Sequence, residues 1–351
     1  MKKRLLQLLA METKSVLNSN VENVPDIPAF KDSENKPGNK SLLEKIFSKS
    51  NIGDFIFEKL TLLFAVLVLL IVILMAYQMY VNSRPSIAKF GWGFLVSSTW
   101  DPVTEVYGAL PVIYGTVVSS LLALLIAVPL GIGVAIFLSE IAPGWLEKPL
   151  SFLTELLAGI PSVVYGLWGI FVLVPWLRDS IEPFLSDHFG NLPFFQGAPY
   201  GFGMLAAALI LSIMVLPIIS SISRDILRSV PFTLREAAYG IGATKWEVIK
   251  LVLSNARSGL LGAIMLGFGR AIGETMAVTM VIGNRPIISP SLFAPSYTMA
   301  SVLANEFTEA TSDMYLNALI ELALVLFIIT IIINIFAQLL VWSMNRKWKK
   351  D

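Results

Sequence analysis

Charge is almost absent from six stretches of this 351-residue chain, at about 60–82, 109–138, 152–177, 201–222, 259–283 and 317–342. Roughly 20 apolar residues in a helix rising 1.5 Å per residue cross about 30 Å of hydrocarbon, and a lipid-facing backbone must bond to itself. The pattern therefore predicts an all-α, polytopic helical membrane protein with six transmembrane helices. Composition agrees, since 55% of residues are hydrophobic and 15% charged, against about a quarter charged in a soluble domain. The second run is the longest and holds Pro129, which predicts a tilt, a kink or an extension past the headgroups.

Orientation follows from Lys and Arg, whose excess stays cytoplasmic. With both termini inside, 21 of the 26 cations fall in inside segments, whereas the outside loops hold Arg84, Lys89, Arg178 and Arg285. Residues 1–55 are polar and too poor in apolar surface to offset the entropy of ordering, so a flexible cytoplasmic tail is expected there, followed by a transmembrane domain over 56–351. The opening MKKRLLQLLAMETK has an apolar core too short for a signal peptide and is read as uncleaved.

Several chemistries lack material. The chain has no cysteine and one histidine, His188 in a polar stretch, so thiolate, zinc and Ser-His chemistries have almost nothing to work with and no metal site is expected. No Gly-x-x-x-x-Gly-Lys-Ser/Thr loop occurs, so ATP hydrolysis is not expected of this chain. A net charge of +1 gives no reason to expect nucleic acid.

The inside loop at 223–257 is long for a small membrane protein. Pro231 is placed to start a helix and Gly240 and Gly242 to end it, while Trp246, Ile249 and Val252 recur on one side of a second helical segment. Two short helices joined by a glycine turn are expected, with Glu236 on the first. Such a hairpin suits a groove on a soluble partner; resting on lipid headgroups is the plainer alternative.

In the fifth run Arg270 and Glu274 stand four residues apart, the spacing of one helical face. An ion at that depth costs about 2.5–3.5 kcal/mol on insertion scales and needs a partner or a wet cavity. A self-neutralised packing pair is one reading, a transport site the other. Two rows of small residues flank the pair, Ala263, Gly267 and Ala271 in one and Gly269 and Gly273 in the other, and either can bring a neighbouring backbone close. Glu155 and Glu321 lie near span ends and are expected to snorkel or pair locally, while Pro161 and Pro217 are expected to interrupt the third and fourth spans.

The stretch Glu236-Ala237-Ala238, then Gly242-Ala243-Thr244-Lys245-Trp246, resembles the EAA loop of binding-protein-dependent ABC import permeases, although Ser254-Asn255 stands where that family usually has Leu-Pro. From Phe90 to Trp342 the resemblance continues, and LPVIYGTVVSSLLALLIAVPLGIGVAIFLSE, ELLAGIPSVVYGLWGIFVLVP and GRAIGETMAV are similar to PstC-type phosphate permeases. Met276-Ala277-Val278 favours this type over the sister PstA type, which is the alternative within the family. The resemblance implies an ABC type I importer permease fold in the bacterial inner membrane, carrying inorganic phosphate. It assigns translocation to Arg270, Glu274 and Thr275 and ATPase coupling to Glu236, Ala237, Ala238, Gly242, Ala243, Thr244 and Trp246. It implies no cofactor in this chain, with ATP and Mg bound by two PstB-type ATPase subunits. A PstA-type permease and an extracytoplasmic PstS-type phosphate-binding protein complete the set. A guanidinium is geometrically suited to a phosphate oxyanion, but it serves other oxyanions as readily. An ion-coupled secondary transporter is the rival class; the absence of repeated halves and of several midplane polar sites speaks against it.

Overall fold

The computed structural model describes residues 51–348. The chain divides into two units, one ending at Val68 and the other running from Leu69 onward. All but the last five residues of the expected 1–55 tail lie outside the described residues; those five belong to the first helix, α1 (Asn51–Phe90). Next come a small antiparallel hairpin, β1 (Trp100–Asp101) with β2 (Val106–Tyr107), and α2 (Leu110–Ile136), which runs on through a π-helical turn at Phe137–Ile141. The order continues α3 (Gly144–Ala158), α4 (Ser162–Trp168), α5 (Glu182–Phe189), α6 (Met204–Ser229), α7 (Phe232–Gly240), α8 (Lys245–Gly273), α9 (Met276–Val281), α10 (Met299–Glu306) and α11 (Asp313–Trp348). Among the described residues five helices are long and apolar enough to cross a membrane, or six if α3 and the helical stretch Ser162–Phe189 count as one broken span.

The core lies between α2, α6 and α8. Alanines make the close approach possible: Ala123 and Ala127 of α2 meet Ala206 and Ala207 of α6 in one buried cluster with Ile210, Leu211 and Ile219. Pro217 does not interrupt the fourth span as expected. It is buried inside an unbroken α6, because packing on both sides outweighs the one backbone bond its ring removes.

Two other runs are broken, the third where Pro161 was expected to interrupt it and the fifth where no break was expected. The third is bent by 92° between α3 and the helical stretch Ser162–Phe189. Pro161, with φ −58 and ψ 140, cannot continue the helix and pushes Ile160 away from α geometry. The fifth run also breaks, since α8 ends at Gly273 and Glu274 and Thr275 separate it from the short α9. A glycine weakens the final turn by about 1 kcal/mol against alanine, yet no proline marks this break.

The loop at 223–257 departs from expectation in the same spirit. Its first helix forms as α7, opened by Pro231. The second is no separate short helix but the first third of α8, a 29-residue rod. Thr244 starts it with a capping box, its backbone N–H donating to Glu247 Oε2 at 2.7 Å. Ser254-Asn255, unlike Leu-Pro, leaves the helix intact.

An aromatic cluster of Phe94, Trp100, Tyr107 and Tyr315 is fixed by Glu306, whose Oε2 accepts from Trp100 Nε1 at 2.8 Å and from the Tyr315 hydroxyl at 2.7 Å. Burial, then the charges of Glu105, Glu306 and Asp101, push the Tyr107 phenol up to about 12. His188 is exposed and bonds only within its own turn, to the Phe184 carbonyl at 2.9 Å.

Candidate functional site

The break after α8 brings two helix ends together with a charge on each. Arg270 lies in the last turn of α8, where a cation favours the C-terminal end of the dipole, and Glu274 stands just before α9, where an anion favours the N-terminal end. The two side chains are neighbours, Arg270 Nη2 lying 3.9 Å from Glu274 Oε2. They do not share a face of one continuous helix, as their spacing predicted: Glu274 has ψ 127, so the chain has already left the helix when it places that carboxylate. Their proximity comes from the break.

The pair is unequal. Glu274 is 8% exposed and Arg270 41%, and at 3.9 Å the guanidinium donors are not committed to the carboxylate. Glu274 Oε1 turns toward the backbone N–H of Ala277, at 3.5 Å. The Thr275 hydroxyl donates to the Gly273 carbonyl at 3.3 Å; its side chain closes the break and does not join the Arg270 donors. The result is a fixed carboxylate behind an exposed, planar cation, able to bind an oxyanion through paired N–H groups.

The opposite wall is α4, which packs on α9. A β-carbon on Gly166 would come within 3.2 Å of Ala277 Cα, so glycine sets that approach. The two broken runs thus face each other, break beside break. Discontinuous helices are tolerated in a membrane where they line a cavity.

The two rows of small residues separate cleanly. Ala263, Gly267 and Ala271 are buried inside the chain, and a β-carbon on Gly267 would lie 2.7 Å from Val215 Cγ1 of α6. Gly269 and Gly273 have nothing within 4 Å of such an atom. Gly269 opens onto a groove of about 1040 Å³ between α8 and α11, lined also by Gly262, Leu266, Asn334 and Trp342. By spacing alone either row suited a partner; the structure commits the first to packing within the chain.

Most of the candidate coupling segment is exposed. Glu236, Ala237, Gly242, Thr244 and Trp246 are exposed and Ala243 half-buried, while Ala238 is buried against α8. Gly242 has φ +86, a conformation costly for a residue with a β-carbon, and ends α7 by donating to the Tyr239 carbonyl at 2.9 Å. Phe232, Tyr239, Ile241 and Trp246 present apolar surface that the described residues leave uncovered. The expected row Trp246, Ile249 and Val252 splits, because Ile249 and Val252 are buried and Trp246 is not.

Sequence reasoning missed what anchors this segment. Arg235 of α7 grips Glu140 at the end of α2 through Nη2 at 2.8 Å and Nε at 3.2 Å, and also donates to the carbonyls of Leu227 and Val230. Arg224 bonds Glu155 at 2.9 Å, and Arg228 bonds Glu147. The signal was present as three inside arginines and three glutamates, but charge counting used them only for orientation. Glu155 pairs locally as expected. Glu321 does neither thing expected of it: it is buried, pairs with no cation among the described residues, and has Oε2 unpartnered beside the Ser86 hydroxyl.

Residues 127–350 match the family described as binding-protein-dependent transport system inner membrane component. The chain is 46% identical over 316 residues to the phosphate transport system permease protein PstC of Mesorhizobium japonicum, covering 89% of this chain and 97% of that one. It is 48% identical over 300 residues to the PstC of Xylella fastidiosa, covering 84% and 92%. With a probable phosphate transport system permease protein PstC of Methanocaldococcus jannaschii it shares 38% identity over 302 residues, covering 84% and 93%. Among solved structures, a chain of the MetNI methionine ABC transporter in an inward-facing conformation shares the fold, with TM-score 0.50 at 17% identity over 70% of this chain and 99% of that one. By its family match, its length-wide identity to PstC proteins and its helical fold, the chain belongs to the binding-protein-dependent inner membrane permeases, in the PstC group.

Proposed function

We propose that this chain is one of the two permease subunits of an ATP-driven importer that moves inorganic phosphate across the bacterial inner membrane, with both termini cytoplasmic. The observation that carries the reading is the Arg270 guanidinium, held at a helix break with its donors uncommitted and a buried carboxylate 3.9 Å away. Arg270 contacts the anion, and Glu274 positions the cation and competes for it, which keeps binding weak enough for release. Thr275 shapes the break. The PstC relatives are named as phosphate permeases, and their identity to this chain spans the break.

Energy comes from other polypeptides. Glu236, Ala237, Ala238, Gly242, Ala243, Thr244 and Trp246 form the surface that engages an ATPase subunit, supported by the uncovered Phe232, Ile241 and Trp246. ATP and Mg belong to that partner and no cofactor to this chain. The open face bearing Gly269 and Gly273 takes the homologous PstA-type permease, and the outer loops receive the PstS-type binding protein.

The test is uptake of labelled phosphate by vesicles holding the complete complex. Phosphate should enter only with internal ATP and external binding protein, and excess sulfate or molybdate should not compete. Competition by either would move the substrate to another oxyanion, and uptake without ATP would point to an ion-coupled carrier.

A further inference from the structure

Helix α3 poses a problem of support. None of its residues is buried, and it lies against α6 at half-buried positions only, yet it runs from the coupling region to the bend in the third span. Polar contacts complete its hold. Near its start Glu147 pairs with Arg228, and near its end Glu155 pairs with Arg224, both arginines lying on the last turns of α6 that lead into α7. With Arg235–Glu140, the arginines ascend as the glutamates descend, so the pairs form an antiparallel ladder. At the far end the Tyr165 hydroxyl donates to the Leu157 carbonyl at 2.9 Å across the bend. Tyr165 is buried, sits on α4, and lies close enough to Arg270 for that charge to act on it.

We propose that α3 is a transmission arm, in which its two ion pairs tie it to the end of α6 that leads into the coupling segment and Tyr165 ties it to α4, so that Tyr165 and Glu155 are positioning residues for the wall facing the Arg270–Glu274 break. This rests on the reading of the chain as an ATP-driven permease. An arm held by hydrogen bonds and ion pairs moves as a body when its anchors move, whereas one embedded in a packed core resists. Without the Tyr165 bond the bend becomes a free joint, and displacement at the coupling segment is absorbed before it reaches α4.

The test compares phosphate imported per ATP hydrolysed in vesicles holding the complete complex, for the unsubstituted chain, Tyr165→Phe, Glu155→Gln and the double variant. Tyr165→Phe removes one hydroxyl and leaves the ring, and Glu155→Gln leaves the phenol untouched, so either serves if the other fails to assemble. The expected result is ATPase binding and hydrolysis at the normal level with import per ATP lowered about fivefold in each, the factor for one hydrogen bond worth about 1 kcal/mol. The double variant should fall little further, since both act on one path. An unchanged ratio overturns the proposal. So does a proportional fall of import and hydrolysis, which marks a merely structural role. If the unsubstituted complex imports no phosphate, the functional reading itself fails, an outcome separate from either.

Discussion

Two Arg–Glu pairs on this chain have the same chemistry and opposite construction. Arg235 and Glu140 are 12% and 9% exposed, bonded at 2.8 Å, and the guanidinium is further occupied by two backbone carbonyls. Arg270 and Glu274 stand 3.9 Å apart, with the arginine 41% exposed. A saturated cation is committed to its fold and has little left to offer a ligand. An unsaturated one at a helix break costs stability and retains donors. Commitment, more than the presence of charge in an apolar chain, separates the structural pair from the one proposed to meet the anion.

The sharpest way to break this contrast is to remove each cation. Arg270→Ala should lower phosphate uptake by at least about thirtyfold, because truncating one partner of a hydrogen-bonded charge pair costs about 2–5 kcal/mol, while assembly measured by co-purification of the ATPase stays normal. Arg270→Lys should keep partial uptake, having the charge without the fork. Near-normal uptake in the double variant Arg270→Gln with Glu274→Gln would move this pair to the structural class. Arg235→Gln should behave in the opposite sense, destabilising the chain by about 3–5 kcal/mol through the uncompensated Glu140, seen as a lower melting temperature in detergent and less protein in the membrane.

Gly242→Trp should leave the chain inserted but weaken ATPase pull-down, as a β-carbon at φ +86 costs about 1–2 kcal/mol locally and the bulk obstructs the exposed surface. Normal pull-down with normal uptake would remove this turn from the coupling role. The smallest effect belongs to Arg228→Gln. Its pair with Glu147 is 41% and 29% exposed, so melting should shift by no more than the equivalent of about 1 kcal/mol.

How much of this was legible in the sequence depended on which signal each element uses. Spans announce themselves by composition, so the apolar runs were found. Their interruptions do not. Pro161 gave the third-span break a marker but not its 92° bend, and the break at Glu274 has no proline at all. Four-residue spacing correctly joined Arg270 to Glu274, though by a continuous helix that is absent. Pro231, Gly240 and Gly242 gave the turn of the coupling segment. The continuity of α8 through Ser254-Asn255 became visible only as structure, since neither residue is a strong former or breaker. The ladder was invisible because its partners are 69 to 95 residues apart, and nothing local selects them.

That continuity has a consequence for timing. A 29-residue helix is about 43 Å long, and swinging it by about 5° at one end sweeps the other through about 4 Å. Since α8 begins at the Thr244 cap and ends three residues past Arg270, the coupling turn and the cation are opposite tips of one stiff lever. On the proposed reading, a displacement at the Thr244 tip therefore reaches the arginine through one unbroken helix, in step with any motion that α3 carries to the facing wall.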